Sequence, residues 1–124
     1  MKSIYLKETK YTPEVVLDKD KGVFKFSGKS LPPDVIEFYK PIIEWFNEYI
    51  QNPNAETRLV CKMEYFNTAS SKLMLDILGK LEKLAASGSK LSVDWYYDKD
   101  DEDLLETGQD YAKIVNIPFT FLPN

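Results

Sequence analysis

The stretch TRLVCKMEYFNTASSKLMLDILGKLEKLAASG, residues 57–88, changes its period in the middle. From Thr57 to Phe66 the side chains alternate, with Leu59, Cys61, Met63 and Tyr65 set against Arg58, Lys62 and Glu64. Alternation with a period of two describes a strand with one buried face. From Ser70 onward the apolar spacing becomes three and four. Met74, Ile77, Leu78, Leu81 and Leu84 share one side, and Lys72, Asp76, Lys80 and Lys83 share the other. That is an amphipathic helix, and Gly88 is a natural stop for it. A strand that hands over to a helix is the repeating unit of an α/β fold.

Working outward, the same unit recurs downstream. KLSVDWYY (Lys90–Tyr97) alternates Leu91, Val93, Trp95 and Tyr97 against Ser92, Asp94 and Tyr96. DEDLLETGQDYAKIVN (Asp101–Asn116) reads as a helix, with Gly108 working against it. IPFTFLP reads as an extended tail or edge strand, because Pro118 disfavours a central position. Upstream, Ile42, Trp45, Phe46 and Tyr49 recur at helical spacing. Pro41 is poorly suited to a helix interior. The expectation is therefore a helical turn over Asp34–Tyr39, then a main helix with Pro41 near its start. Before it, Ser3–Thr9, Pro13–Lys19 and Val23–Lys29 read as three strands of a meander.

The predicted order is β-β-β-α-β-α-β-α with a short tail, in a single domain spanning 1–124. Strand–helix–strand repeats imply parallel pairing through right-handed crossovers. The late strands are not continuously apolar, as strands covered on both faces usually are. The reading is an α/β fold of the small STAS-like kind: a mixed sheet with helices packed mainly on one face.

Composition removes most kinds of chemistry. The chain has 124 residues, 44% hydrophobic and 14% aromatic, enough for a core without disulfides or metals. It has no histidine, so Ser-His-Asp and Cys-His catalysis are excluded within it. One cysteine without histidine cannot supply the usual zinc ligands. Neither a phosphate loop nor a dinucleotide-binding glycine motif occurs. A net charge of −4, with Arg58 the sole arginine, argues against nucleic acid as a partner. No apolar run approaches the roughly 18 residues that cross a bilayer. The N-terminus lacks a signal-like apolar segment, and the lone Cys61 suits a reducing cytosol. A cytoplasmic protein without cofactor or metal is expected.

The corner between strand and helix holds Asn67, Thr68, Ser70 and Ser71. One cap needs one such side chain, worth about 1 kcal/mol. The corner offers four. Parallel strands share one rim at their C-terminal ends, where α/β proteins place their sites. That logic puts Asp98, Asp100, Asp101, Glu102 and Asp103, which follow the next strand, on the rim with the hydroxyls. A helix N-terminus favours a phosphate, and Lys72 lies one turn onward. A phosphate there would add about −1.5 to −2 charge. A phosphoacceptor among the hydroxyls of Thr68, Ser70 and Ser71 is therefore one functional reading of the corner. Tyr96, on the opposite strand face from Trp95, is a candidate partner contact together with Asn67, Lys72 and the acidic run.

EYFNTASSKLMLDILGKLE, VDWYYDKDDEDLLETGQDY and PIIEWFNEYIQNP together resemble the bacterial SiaC family of regulatory phosphoproteins. The resemblance covers nearly the whole chain. It implies a STAS-like fold, similar to anti-sigma factor antagonists, and a non-enzymatic role in partner switching. A dedicated kinase would phosphorylate one Thr or Ser after the central strand, and a PP2C-type phosphatase would remove the phosphate. In the best-known system the unmodified form binds and activates a diguanylate cyclase, raising cyclic di-GMP and promoting biofilm. The motif YFNTAS carries the acceptor to Thr68.

Two other readings compete. The acidic rim could serve a small enzyme or a ligand- or metal-binding domain, although DKDDED has Asp103 where a calcium loop needs glycine. Alternatively, the hydroxyls could serve only as caps, and the acids only as favourable charge at a helix start.

Overall fold

The computed structural model describes Met1–Asn124. Six strands form one sheet in the order β1-β2-β3-β4-β5-β6. They are β1 (Ile4–Leu6), β2 (Glu14–Asp18), β3 (Val23–Ser30), β4 (Glu56–Phe66), β5 (Lys90–Tyr97) and β6 (Phe119–Pro123). The first three pair antiparallel as a meander. From β3 onward every pair is parallel. Three helices supply the crossovers: α1 (Val35–Tyr49), α2 (Thr68–Ala86) and α3 (Glu102–Ile114). Each crossover advances one strand in the same direction. Right-handed connections then put all three helices on one face of the sheet.

The strand patterns agree with that layering. On β4, Thr57, Leu59, Cys61 and Met63 are buried while Arg58, Lys62 and Glu64 are exposed. On β5, Leu91, Val93 and Trp95 are buried against half-buried Ser92, Asp94 and Tyr96. The open face is paved by short-range charge contacts. Lys25 meets Glu14 at 3.0 Å, Arg58 meets Asp94 at 3.7 Å, and the Lys62 ammonium sits 4.5 Å from the centre of the Tyr96 ring. Under the helices lies a core of 24 apolar residues. Each large side chain fully buried there contributes roughly 1.5–3 kcal/mol.

Three expectations are corrected. The segment around Pro41 is one continuous helix, not a turn followed by a helix. Pro41 and Glu37, whose carbonyl loses its partner, both lie on the exposed side, where water replaces the missing bond. The buried stripe of Tyr39, Ile42, Trp45, Phe46 and Tyr49 runs unbroken past it. Second, Tyr65 does not continue the buried face of β4: it is 50% exposed, lying beyond the last β4–β5 pair and just past a register shift against β3, where Gly28 pairs Met63 but Lys29 pairs Tyr65. Third, Gly108, read as working against α3, is what the packing of α3 requires despite its cost in helix propensity. A β-carbon there would stand 2.6 Å from the Trp95 indole nitrogen, so the missing side chain is what lets α3 seat on β5. The closing segment is edge strand β6, paired parallel to β5 just after Pro118.

Candidate functional site

Parallel strands β3, β4 and β5 end on one rim, and α1, α2 and α3 start from it. Pairing between β4 and β5 stops at Cys61–Trp95, yet the strands run on to Phe66 and Tyr97. Two adjoining clefts lie where they part. One, of about 420 Å³, is lined by Asn67, Thr68, Ser71 and Lys72 on one side and Asp101, Asp103, Leu104 and Thr107 on the other. The second, of about 940 Å³, takes in Lys62, Asp98, Asp100 and Glu102. Glu64, Asp101, Asp103 and Leu104 line both. Hydroxyls and acids therefore do face each other across the rim.

Each polar residue at the corner can now be assigned. Asn67 is the N-cap of α2; its side-chain oxygen accepts the Ser70 N–H at 2.8 Å. Ser70 is fully buried and accepts a hydrogen bond from the Ser30 hydroxyl at 2.8 Å. Ser30 has spent its proton there, so the Tyr39 hydroxyl, 2.6 Å away, donates to Ser30. Ser71 is half-buried, and its hydroxyl pairs with that of Tyr111 at 2.5 Å while Tyr111 donates to the Ser71 carbonyl at 2.7 Å. Burial pushes the Tyr111 phenol up to about 12 and raises that of Tyr39, against the opposing pull of their serine partners. Both stay protonated donors at neutral pH. Thr68 is the first residue of α2, exposed to solvent, and its hydroxyl takes no part in these bonds.

The electrostatics single out the same place. Asp34 caps α1 and Asp101 caps α3, and both helices carry acid in the first turn: Glu37 in α1, Glu102 and Asp103 in α3. Those carboxylates neutralise the positive ends of their helices. α2 alone has a neutral cap and no acid in its first turn. Its positive end has no acid of its own, with Thr68 on it, exposed Lys72 one turn along, and Glu64, Asp101 and Asp103 lining the same cleft.

The remaining candidates separate. Asp98 accepts the Asp100 N–H at 2.9 Å and shapes the turn before α3, while Asp100, Glu102 and Asp103 are exposed. No three of these carboxylates converge as metal ligands. Tyr96 lies on the open sheet face beneath Lys62, outside both clefts. Cys61 is a buried small residue, its thiol pushed up to about 12 by desolvation and by Asp94. Sequence reasoning missed Tyr65 and Glu64 as cleft walls. The signal was there in the length of β4, eleven residues against eight in β5. No signal marked Tyr39 and Tyr111 as the partners of Ser70 and Ser71.

Comparison with known proteins gives a consistent result. An uncharacterized protein of Pseudomonas aeruginosa (strain UCBPP-PA14) is 28% identical over 119 residues, covering 96% of this chain and 94% of that one. The solved SiaC of Pseudomonas aeruginosa is 27% identical over the full length of both chains, with a TM-score of 0.89. A similar match, 26% identical with a TM-score of 0.90, covers 98% of this chain and 99% of the other. It comes from the crystal structure of the diguanylate cyclase SiaD in complex with its activator SiaC from the same organism. The family described as SiaC family regulatory phosphoprotein matches residues 6–124, and no helix is long and apolar enough to cross a membrane. The chain belongs to the SiaC family of regulatory phosphoproteins.

Proposed function

We propose that this protein is a non-enzymatic, cytoplasmic partner switch of one domain, governed by reversible phosphorylation of Thr68. The observation that carries the reading is the assignment at the corner. Asn67, Ser70 and Ser71 hold the fold together, and Thr68 is left exposed on the one helix start without an acid. Backbone N–H groups and Lys72 favour a phosphate at that point. Asp98, Asp100, Asp101, Glu102 and Asp103, with Tyr96 on the open sheet face, would make up the rest of the partner surface. The unmodified form binds and activates an effector of the diguanylate cyclase class, a choice supported by the similarity to the SiaC that activates SiaD. A protein kinase and a PP2C-type phosphatase set the phosphorylation level.

Mass spectrometry of protein purified from its host is expected to find phosphate on Thr68. Thr68→Ala should bind the cyclase as the wild type does. Thr68→Asp should bind at least ten-fold more weakly, since misplaced like charge at an interface costs several kcal/mol. Wild-type affinity in both variants would refute the switch.

One observation favours a second reading. The cleft of about 940 Å³ is concave and rich in carboxylates, as a site for a cationic ligand would be. Calorimetric titration with Mg²⁺ and with nucleotides separates the two. Saturable binding that Asp100→Asn and Asp103→Asn abolish supports a ligand domain; heats of dilution alone dismiss it.

A further inference from the structure

The far wall of the Thr68 cleft is the first turn of α3. Asp101, half-buried in that wall, accepts the Leu104 N–H at 3.0 Å and so caps α3. The Leu104 carbonyl in turn accepts the Trp95 indole N–H at 3.1 Å. Trp95 is 1% exposed. Its ring stacks on Phe66 at 5.9 Å and meets Tyr111 edge-on at 5.6 Å. Tyr111 leads back to the first turn of α2 through Ser71. The contacts form a chain from Asp101 through α3 and the core to the first turn of α2, and the Thr68 cleft lies between its two ends.

We infer that negative charge at Thr68 is transmitted through Asp101 to α3. The inference rests on the phosphorylation reading above and states what the phosphate does to the fold. Phosphate and Asp101 would face each other across one cleft, with Asp103 and Glu64 adding to the repulsion. A half-buried carboxylate is screened less than a surface one. Asp101 is driven from its cap, the Leu104 N–H loses its acceptor, and the Leu104–Trp95 bond slackens. The same charge stabilises α2, whose positive end it matches. Phosphorylation therefore remodels α3, which carries the acidic first turn, and leaves α2 in place.

The test uses the full chain and two indole reporters. Trp45 donates its indole N–H to the Lys2 carbonyl at 2.7 Å and packs on Phe24 near the start of β3, away from the rim, so it is an internal control. In ¹H–¹⁵N spectra, Thr68→Glu is expected to shift the Trp95 indole signal and leave that of Trp45 unmoved. The Leu104 amide should exchange with solvent roughly five-fold faster, the effect of losing one cap. Adding Asp101→Asn, which keeps a capping oxygen but removes the charge, should return both signals to their wild-type values. Unchanged Trp95 and Leu104 signals in Thr68→Glu overturn the relay, as does a response that survives Asp101→Asn. The two readings fail separately: host protein without phosphate on Thr68 counts against the switch, whereas a silent α3 in phosphorylated protein counts against the relay alone.

Discussion

α2 and α3 leave the same rim from caps built alike. Asn67 accepts the N–H of Ser70 and Asp101 accepts that of Leu104, each three residues on. Beyond the caps they diverge. The first turn of α2 puts its serines inward, to Tyr39 through Ser30 and to Tyr111, and has no acid. The first turn of α3 turns Glu102 and Asp103 out to solvent and leaves anchoring to Leu104 and Trp95. One helix start is fixed by buried hydroxyls and lacks charge; the other is charged and fixed by an indole. A helix start of the first kind can accept a phosphate without losing a structural contact.

The harshest way to break the contrast is alkali. Burial raises Tyr39, and pushes Tyr111 and Cys61 to about 12 from 10.0 and 9.0. The unfolded chain therefore releases these protons at lower pH than the native one. Stability from these groups is fully present below about pH 9 and is lost as pH climbs towards 12. Each group removes about 1.4 kcal/mol per pH unit across its own window. Circular dichroism and tyrosinate absorbance followed together should show the last phenols ionising in the same cooperative step that unfolds the chain. Ionisation of all eight tyrosines near the ordinary phenol value of 10.0 with the fold intact would mean the hydroxyl ties are not closed.

A milder probe compares the two mid-helix glycines. Gly79 of α2 has nothing within 4 Å of a β-carbon, whereas Gly108 of α3 has the Trp95 indole at 2.6–2.7 Å. Gly108→Ala forces a rigid ring aside and should destabilise by about 1–3 kcal/mol even after the gain in helix propensity. Gly79→Ala should stabilise by about 0.5–1 kcal/mol. Thermal or urea unfolding reads both. Equal signs would remove the indole as the seat of α3.

The same contrast explains what could be read in the sequence. Leu59, Cys61 and Met63 declare a strand, and Met74 to Leu84 a helix, because burial has a period and the period is local. The shared rim followed from strand direction alone, and with it the meeting of Thr68 and the acids. Pro41 misled because propensity is local too, while the stripe from Tyr39 to Tyr49 that overrides it belongs to the core. What Ser70 and Ser71 do was not legible. Their partners, Ser30 and Tyr111, each lie 40 positions away, and a hydroxyl bound in the core is spelled like a free one. Gly108 was legible only as a weak helix residue until Trp95 was placed against it.

The finest probe exchanges one cap for the other. Asn67→Ala removes the acceptor of the Ser70 N–H and should lose about 1 kcal/mol, which establishes that the cap works. Asn67→Asp instead gives α2 the charged cap that α3 has, and should gain about 0.3–1 kcal/mol from the helix dipole. The informative measurement is the melting temperature of each form with and without phosphate on Thr68. In the wild type the phosphate is the first anion carried by the α2 terminus itself, the acids Glu64, Asp101 and Asp103 lying across the cleft, so it should raise the contribution of α2. In the Asn67→Asp variant the end is already neutralised and the two anions repel, so the gain should vanish or reverse. A phosphate effect identical in both backgrounds would show that the group is not seated on the α2 terminus, and the difference between the two helix starts would then carry no functional meaning.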